Sequence, residues 1–162
     1  MSRVLILACG NPSRGDDALG PRLIERLEAV AARLPALSLE RLTDFQLQIE
    51  HALDLVGRDL AIFADAALSG PEPFDFVPVR PQPAAAMTTH AMSPGAVLRV
   101  YRQVIGAEPP DCRLLAIRGY RFELGEPLSV QAEANLEAAL EYLTHWLAHW
   151  RAPGASPVAV PL

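Results

Sequence analysis

The sequence predicts an α/β fold: a three-layer sandwich with a mostly parallel sheet of about five strands and helices on both faces. Three observations predict it. Apolar runs of strand length alternate along the chain with amphipathic stretches of helical period. Residues 4–9 and 60–64 are continuously apolar, as strands buried on both faces are. The 162 residues show no internal repeat and no domain linker, and they suffice for one sizeable core.

The elements follow in order. Residues 4–9 form the first strand. Pro21 suits the first position of a helix, with Gly20 as its cap, which leaves Asp16 and Asp17 in an open loop. Leu23, Leu27, Val30 and Leu34 recur at helical spacing until Pro35. Residues 37–42 read as a second strand leading to Thr43 and Asp44. Residues 46–56 read as a helix with Leu47, Ile49, Leu53 and Val56 on its apolar face, closed by Gly57. The third strand, 60–64, ends at Asp65. A proline-rich stretch contains an edge strand at 74–79, since Pro78 is tolerated at an edge and not in a central strand. A loop over 84–92 carries Thr88, Thr89 and His90. Ser93 caps a helix with Pro94 in its first turn. Residues 112–117 form a further strand. Ser129 starts a long last helix that buries Leu136, Leu140, Leu143, Leu147 and Trp150. Residues 1–151 are thus one α/β domain, and 152–162 are expected to be a disordered tail.

Composition narrows the function. Hydrophobic residues make up 51% and charged residues 20%, a globular mix. The net charge is -5 with no basic patch, which argues against nucleic acid and acidic membrane surfaces as partners. The first apolar run is too short for a signal peptide and runs into Arg14, Asp16 and Asp17, and no segment reaches the length of a membrane span. Cys9 and Cys112 form neither a disulfide framework nor a zinc pattern and read as buried thiols. Together these predict a cytoplasmic protein. Oligomeric state is not encoded in any pattern of this kind.

The stretch between the first strand and its helix carries the chemistry. Gly10 and Gly15 have P-loop spacing, but Asp16 and Asp17 stand where Lys and Ser or Thr would bind phosphate. Glycines at 10, 15 and 20 do not make a dinucleotide fingerprint either. Two carboxylates suit a cation; the competing reading is that one of them caps a helix. In a parallel sheet, ligands bind beyond the carboxyl ends of the strands. Asp16 and Asp17 follow the first strand, Asp44 the second and Asp65 the third, with His90 in a loop before a helix. Carboxylates and an imidazole gathered at that edge match a divalent transition metal with open coordination positions. His145 and His149, at i and i+4, lack the glutamate of H-E-x-x-H and point away from the apolar face of the last helix. His51, beside Glu50, reads as a surface residue.

Gly10-Asn11 through Asp16-Asp17 to Gly20 resembles the G-N-x-x-x-x-D-[DE]-x-x-G signature of the hydrogenase maturation endopeptidases. The similarity continues through Asp65, through His90-Ala91-Met92-Ser93-Pro94, and through Gly119-Tyr120-Arg121-Phe122-Glu123 to Leu128-Ser129, so that it spans about residues 3–150. The stretch from Phe45 to Ala52 is similar to the branch that serves soluble, NAD-linked or bidirectional hydrogenases. The resemblance implies an α/β sandwich and a single endoproteolytic cut. That cut removes the C-terminal extension of a nickel-iron hydrogenase large subunit after nickel insertion. It further implies that nickel arrives with the large-subunit precursor and is contacted by Asp17, Asp65 and His90. Asp17 and Asp65 are also the first candidates for catalysis, with Asp16 and Asp44 behind them. The sequence departs from the family at Ala18, where glycine is frequent. Two other readings stay open: a metal-dependent amidase or peptide hydrolase with its own metal, and a non-catalytic nickel-dependent chaperone of the large subunit.

Overall fold

A computed structural model describes residues 1–83 and 92–154. The loop carrying Thr88, Thr89 and His90 and most of the expected tail lie outside the described residues. Five strands form one sheet: β1 Ser2–Cys9, β2 Leu37–Asp44, β3 Leu60–Ala67, β4 Phe74–Pro78 and β5 Asp111–Arg118. Their spatial order is β2-β1-β3-β5-β4. All neighbours pair in parallel except β4, which runs antiparallel to β5 at one edge. Pro78 ends that edge strand, where its missing N–H leaves no gap in a central ladder.

The alternation of side chains along a strand divides the core in two. Val4, Ile6 and Ala8 of β1 face one side with Leu60, Ile62 and Ala64 of β3. They pack against α1 Leu19–Ala31 and α4 Val130–His149, whose Leu23, Leu27, Leu136 and Leu143 are fully buried. Leu5 and Leu7 face the other side with Ala61 and Phe63, under α3 Pro94–Ile105 and the short α2 His51–Asp54. The three layers are those the sequence predicts. Arg26 of α1 pairs with Glu133 and Glu137 of α4, tying the two helices of one layer. Ser93 is the predicted cap, its Oγ accepting from Ala96 N at 3.2 Å, and Ser129, predicted to start the last helix, caps α4 by accepting from Ala132 N at 3.1 Å.

Two elements differ from expectation. α1 begins at Leu19 after a 3-10 turn, Gly15–Ala18, so Gly20 is not its cap and Pro21 is its third residue. Proline is tolerated there because the first helical N–H groups have no partner within the helix. Asp16 and Asp17 therefore lie in a turn of fixed geometry, not in an open loop. The expected helix over 46–56 shrinks to α2, with turns on either side. Its buried residues are His51, Ala52 and Leu55, whereas Ile49, Leu53 and Val56 are exposed. Local side-chain bonds accompany the turns: Asp44 Oδ1 accepts from Phe45 N and His51 Nδ1 accepts from Gln48 N, which fastens this stretch in a non-helical course. Ala18 adopts an ordinary helical conformation, φ -75° and ψ -5°, which alanine accommodates without strain.

Gly10 shows why the turn after β1 needs glycine. Its φ is +144°, and a Cβ there would stand 2.0 Å from the carbonyl oxygen of Asp17. Gly10→Ala is accordingly expected to lower stability by at least about 2 kcal/mol, the scale of strain in a packed interior. Urea unfolding measures this, and an unchanged midpoint would contradict the close approach.

Candidate active site

β1 and β3 are adjacent and parallel, with Ala8 opposite Ala64. Their carboxyl ends therefore deliver Asp17, eight residues beyond Cys9 in sequence, and Asp65 to one place. Asp65 lies within β3 rather than after it, because the strand continues to Ala67. Both aspartates line a cleft of about 270 Å³. Its walls are apolar or backbone-like: Phe45, Leu47, Phe63, Met92 and Leu114 among them. A larger open groove, about 1010 Å³, lies on the opposite layer between α4 and Phe74. It is lined by none of Asp16, Asp17, Asp44 or Asp65, so volume alone does not mark the site; the convergence of polar groups does.

Asp17 is half-buried, and its Oδ2 accepts from Asn11 N at 2.7 Å. Neither the 3-10 turn nor α1 receives a side-chain cap bond, so the capping reading of Asp16 and Asp17 fails. Asp65 Oδ1 accepts from Ala66 N at 2.8 Å. Its side chain is exposed at the cleft, yet the protein around it desolvates the carboxylate enough to push its carboxyl up to about 6. The Ala66 N–H opposes that rise, and the charge of Asp17 adds to it. Cys9 is buried on the floor between these groups. Burial first, then Asp65, Asp44 and Asp17, raise its thiol to about 12, so it stays protonated and inert as a nucleophile. Both cysteines are buried free thiols, as predicted.

Asp16 points elsewhere. It is fully buried, and its two oxygens accept four hydrogen bonds. Tyr120 N at 2.7 Å, Arg121 N at 3.0 Å and Ser129 Oγ at 2.7 Å donate to Oδ2, and Ser129 N at 2.7 Å donates to Oδ1. Burial by itself would raise this carboxyl; the donors outweigh it and hold it below the usual range. Asp16 is outside the cleft lining, and the geometry makes it the peg that fastens the segment from Gly119 to Ser129 beneath the 3-10 turn. Ser129 does more than start the last helix: its hydroxyl both accepts from Ala132 N and donates to Asp16.

Asp44 is the last residue of β2, paired in register with Cys9, and stands beside the cleft rather than in its lining. It does not cap a helix. Its Oδ1 accepts from Phe45 N at 2.7 Å, and its Oδ2 lies 3.3 Å from His51 Nε2. His51 is buried rather than a surface residue. His145 and His149 are exposed on α4, away from the core, as predicted. His90 lies outside the described residues. Among the described residues no group of three His, Cys, Asp or Glu side chains gathers in metal-binding geometry. Also among them, no helix is long and apolar enough to cross a membrane.

No family model and no curated protein matches this sequence. Solved structures do. The chain is similar to the hydrogenase maturating endopeptidase HybD from E. coli, with 26% identity, a TM-score of 0.67 and coverage of 90% of this chain and 91% of that one. It is similar to an endopeptidase from Escherichia coli with 30% identity and a TM-score of 0.63, covering 87% and 89% of the two chains. The NiFe hydrogenase maturation protease HycI from Thermococcus kodakarensis shares the fold at 24% identity, with a TM-score of 0.67 and 90% and 92% coverage. The five-stranded sheet and the near-complete mutual coverage agree: the chain has the α/β fold of the hydrogenase maturation proteases it is similar to, and it is a peptidase.

Proposed function

We propose that this peptidase removes the C-terminal extension of a nickel-iron hydrogenase large subunit once nickel has been inserted, with Asp17, Asp65 and His90 contacting the metal that the precursor carries. The observation that carries this reading is the shared cleft of Asp17 and Asp65 at the ends of β1 and β3. Two carboxylates and one imidazole form an incomplete shell for a late divalent ion, and thiolates of the precursor would complete it. The shared ion then holds the scissile peptide against the cleft, which turns binding energy into orientation. Asp65 lines the cleft with its Oδ1 held by Ala66 N, which leaves its other oxygen to take a proton from the attacking water. Asp17, anchored through Asn11 N, supplies fixed negative charge. Asp44 acts from behind the cleft wall, and Asp16 holds the turn that presents Asp17. The reading extends to a cytoplasmic site of action and to the branch serving soluble, NAD-linked or bidirectional hydrogenases, on the strength of the Phe45 to Ala52 similarity.

The test uses a large-subunit precursor in three states: metal-free, nickel-loaded, and metal-free with enzyme soaked in nickel and then desalted. Cleavage, read by mass spectrometry of the released fragment, is expected only for the nickel-loaded precursor. Efficient cleavage of metal-free precursor by untreated enzyme would remove nickel as the recognition signal and favour a peptide hydrolase of another kind. Complex formation without any cleavage would favour the chaperone.

A further inference from the structure

Residues Phe45, Gln46 and Leu47 form one wall of the cleft, yet they have neither helix nor strand to hold them. The imidazole of His51 lies behind them, with its side chain only 11% exposed. Its Nδ1 accepts from Gln48 N at 2.8 Å. An imidazole nitrogen that accepts from an amide carries no proton, so the neutral ring bears its hydrogen on Nε2. That nitrogen lies 3.3 Å from Asp44 Oδ2, in reach to donate. Asp44 in turn accepts from Phe45 N through its other oxygen. One ring thus joins the residue just before the wall to the residue just after it. The turn that follows is closed by backbone bonds alone, Ala52 N to Ile49 O and Leu53 N to Glu50 O, each at about 3 Å.

We propose that His51 is a positioning residue: it clamps the Phe45 to Leu47 wall into the shape that receives the protein substrate, without touching the reacting atoms. The proposal rests on the processing reading for the identity of that substrate, but the clamp is a property of this chain alone. If it holds, loosening the wall weakens substrate binding more than the chemical step.

Three variants separate the contacts. His51→Asn keeps an acceptor near the Nδ1 position, for Gln48 N. His51→Gln keeps a donor near the Nε2 position, for Asp44. His51→Leu keeps bulk and neither bond. Two readouts are taken: hydrogen exchange at the Gln48 amide, and kcat and KM for nickel-loaded precursor. Gln48 exchange is expected to quicken at least tenfold in His51→Leu and His51→Gln and to stay near wild type in His51→Asn. KM is expected to rise tenfold or more in His51→Leu with kcat changed less than threefold, and to be partly restored by either amide variant. Unchanged exchange in His51→Leu would overturn the clamp. Faster exchange with an unchanged KM would overturn its role in binding, and so would equal losses in all three variants accompanied by equal losses of Tm. A wild-type chain that cleaves no precursor would sink the processing assignment, while Gln48 exchange would still decide the clamp.

Discussion

Asp65→Asn is expected to lower processing by roughly 10²-fold or more, the scale for loss of a proton-transfer group, while making the fold more stable. The side chain is nearly isosteric, so packing changes little. The charge is what changes. Asp65 has its carboxyl raised from 3.8 to about 6, chiefly by desolvation. Between those values the folded chain holds a proton that the unfolded chain has released, so stability falls as pH rises through that window. The neutral form's contribution is complete below the unfolded value and lost above about 6. At pH 8 the wild-type protein therefore carries an ionised group in surroundings that disfavour it. After discounting for solvent screening at an exposed side chain, removing the charge should stabilise by about 1 kcal/mol, or roughly 3 °C in Tm for a chain of this size. At pH 4 the variant and wild type should coincide. Thermal unfolding at the two pH values checks the sign, and a less stable Asp65→Asn at pH 8 would contradict the desolvation argument. In the same logic, wild-type kcat/KM should decline as pH drops below about 6. Asp17→Asn should lose processing comparably, because the amide lacks the charge that a cation requires. Full processing by Asp17→Asn would remove its charge from the mechanism.

Asp16→Asn is expected to have the largest effect on the fold. The carboxylate accepts three backbone N–H groups and one hydroxyl in a fully buried site. An amide has one acceptor oxygen, and its NH2 would face at least one of those donors. At about 1–3 kcal/mol for each buried group left without a partner, and more where a charge was the acceptor, the loss is on the order of 4 kcal/mol. That is a large part of the roughly 5–15 kcal/mol that holds a domain together. The measurement is urea unfolding, with an expected fall in midpoint and slope preserved. A stability within about 0.5 kcal/mol of wild type, the range of ordinary surface changes, would contradict the peg. The pH dependence has the opposite sign to that of Asp65. Asp16 is held below the usual range, so its contribution is present at neutral pH and disappears as pH falls below the ordinary carboxylate value. Two neighbouring aspartates in sequence thus divide between the fold and the cleft.

The sequence alone determined the layers, the mostly parallel pairing of the sheet and the edge character of β4. Those features follow from repeating patterns: continuous apolarity in 60–64, a period of 3.6 in the helices, and proline where no ladder bond is needed. It also determined that Asp17 and Asp65 belong together, because parallel strands bring their carboxyl ends to one edge whatever the loops do. Tertiary structure decided how each polar group is used. Asp16 and Asp17 are indistinguishable as letters; only the return of the Gly119 to Ser129 segment, more than a hundred residues later, supplies the donors that bury one and leave the other at the cleft. His51 sits in a stretch whose apolar spacing fits a helix, yet its ring is buried, bonded to Gln48 N and set beside Asp44. Such bonds from side chains to nearby amides leave no mark in composition or periodicity.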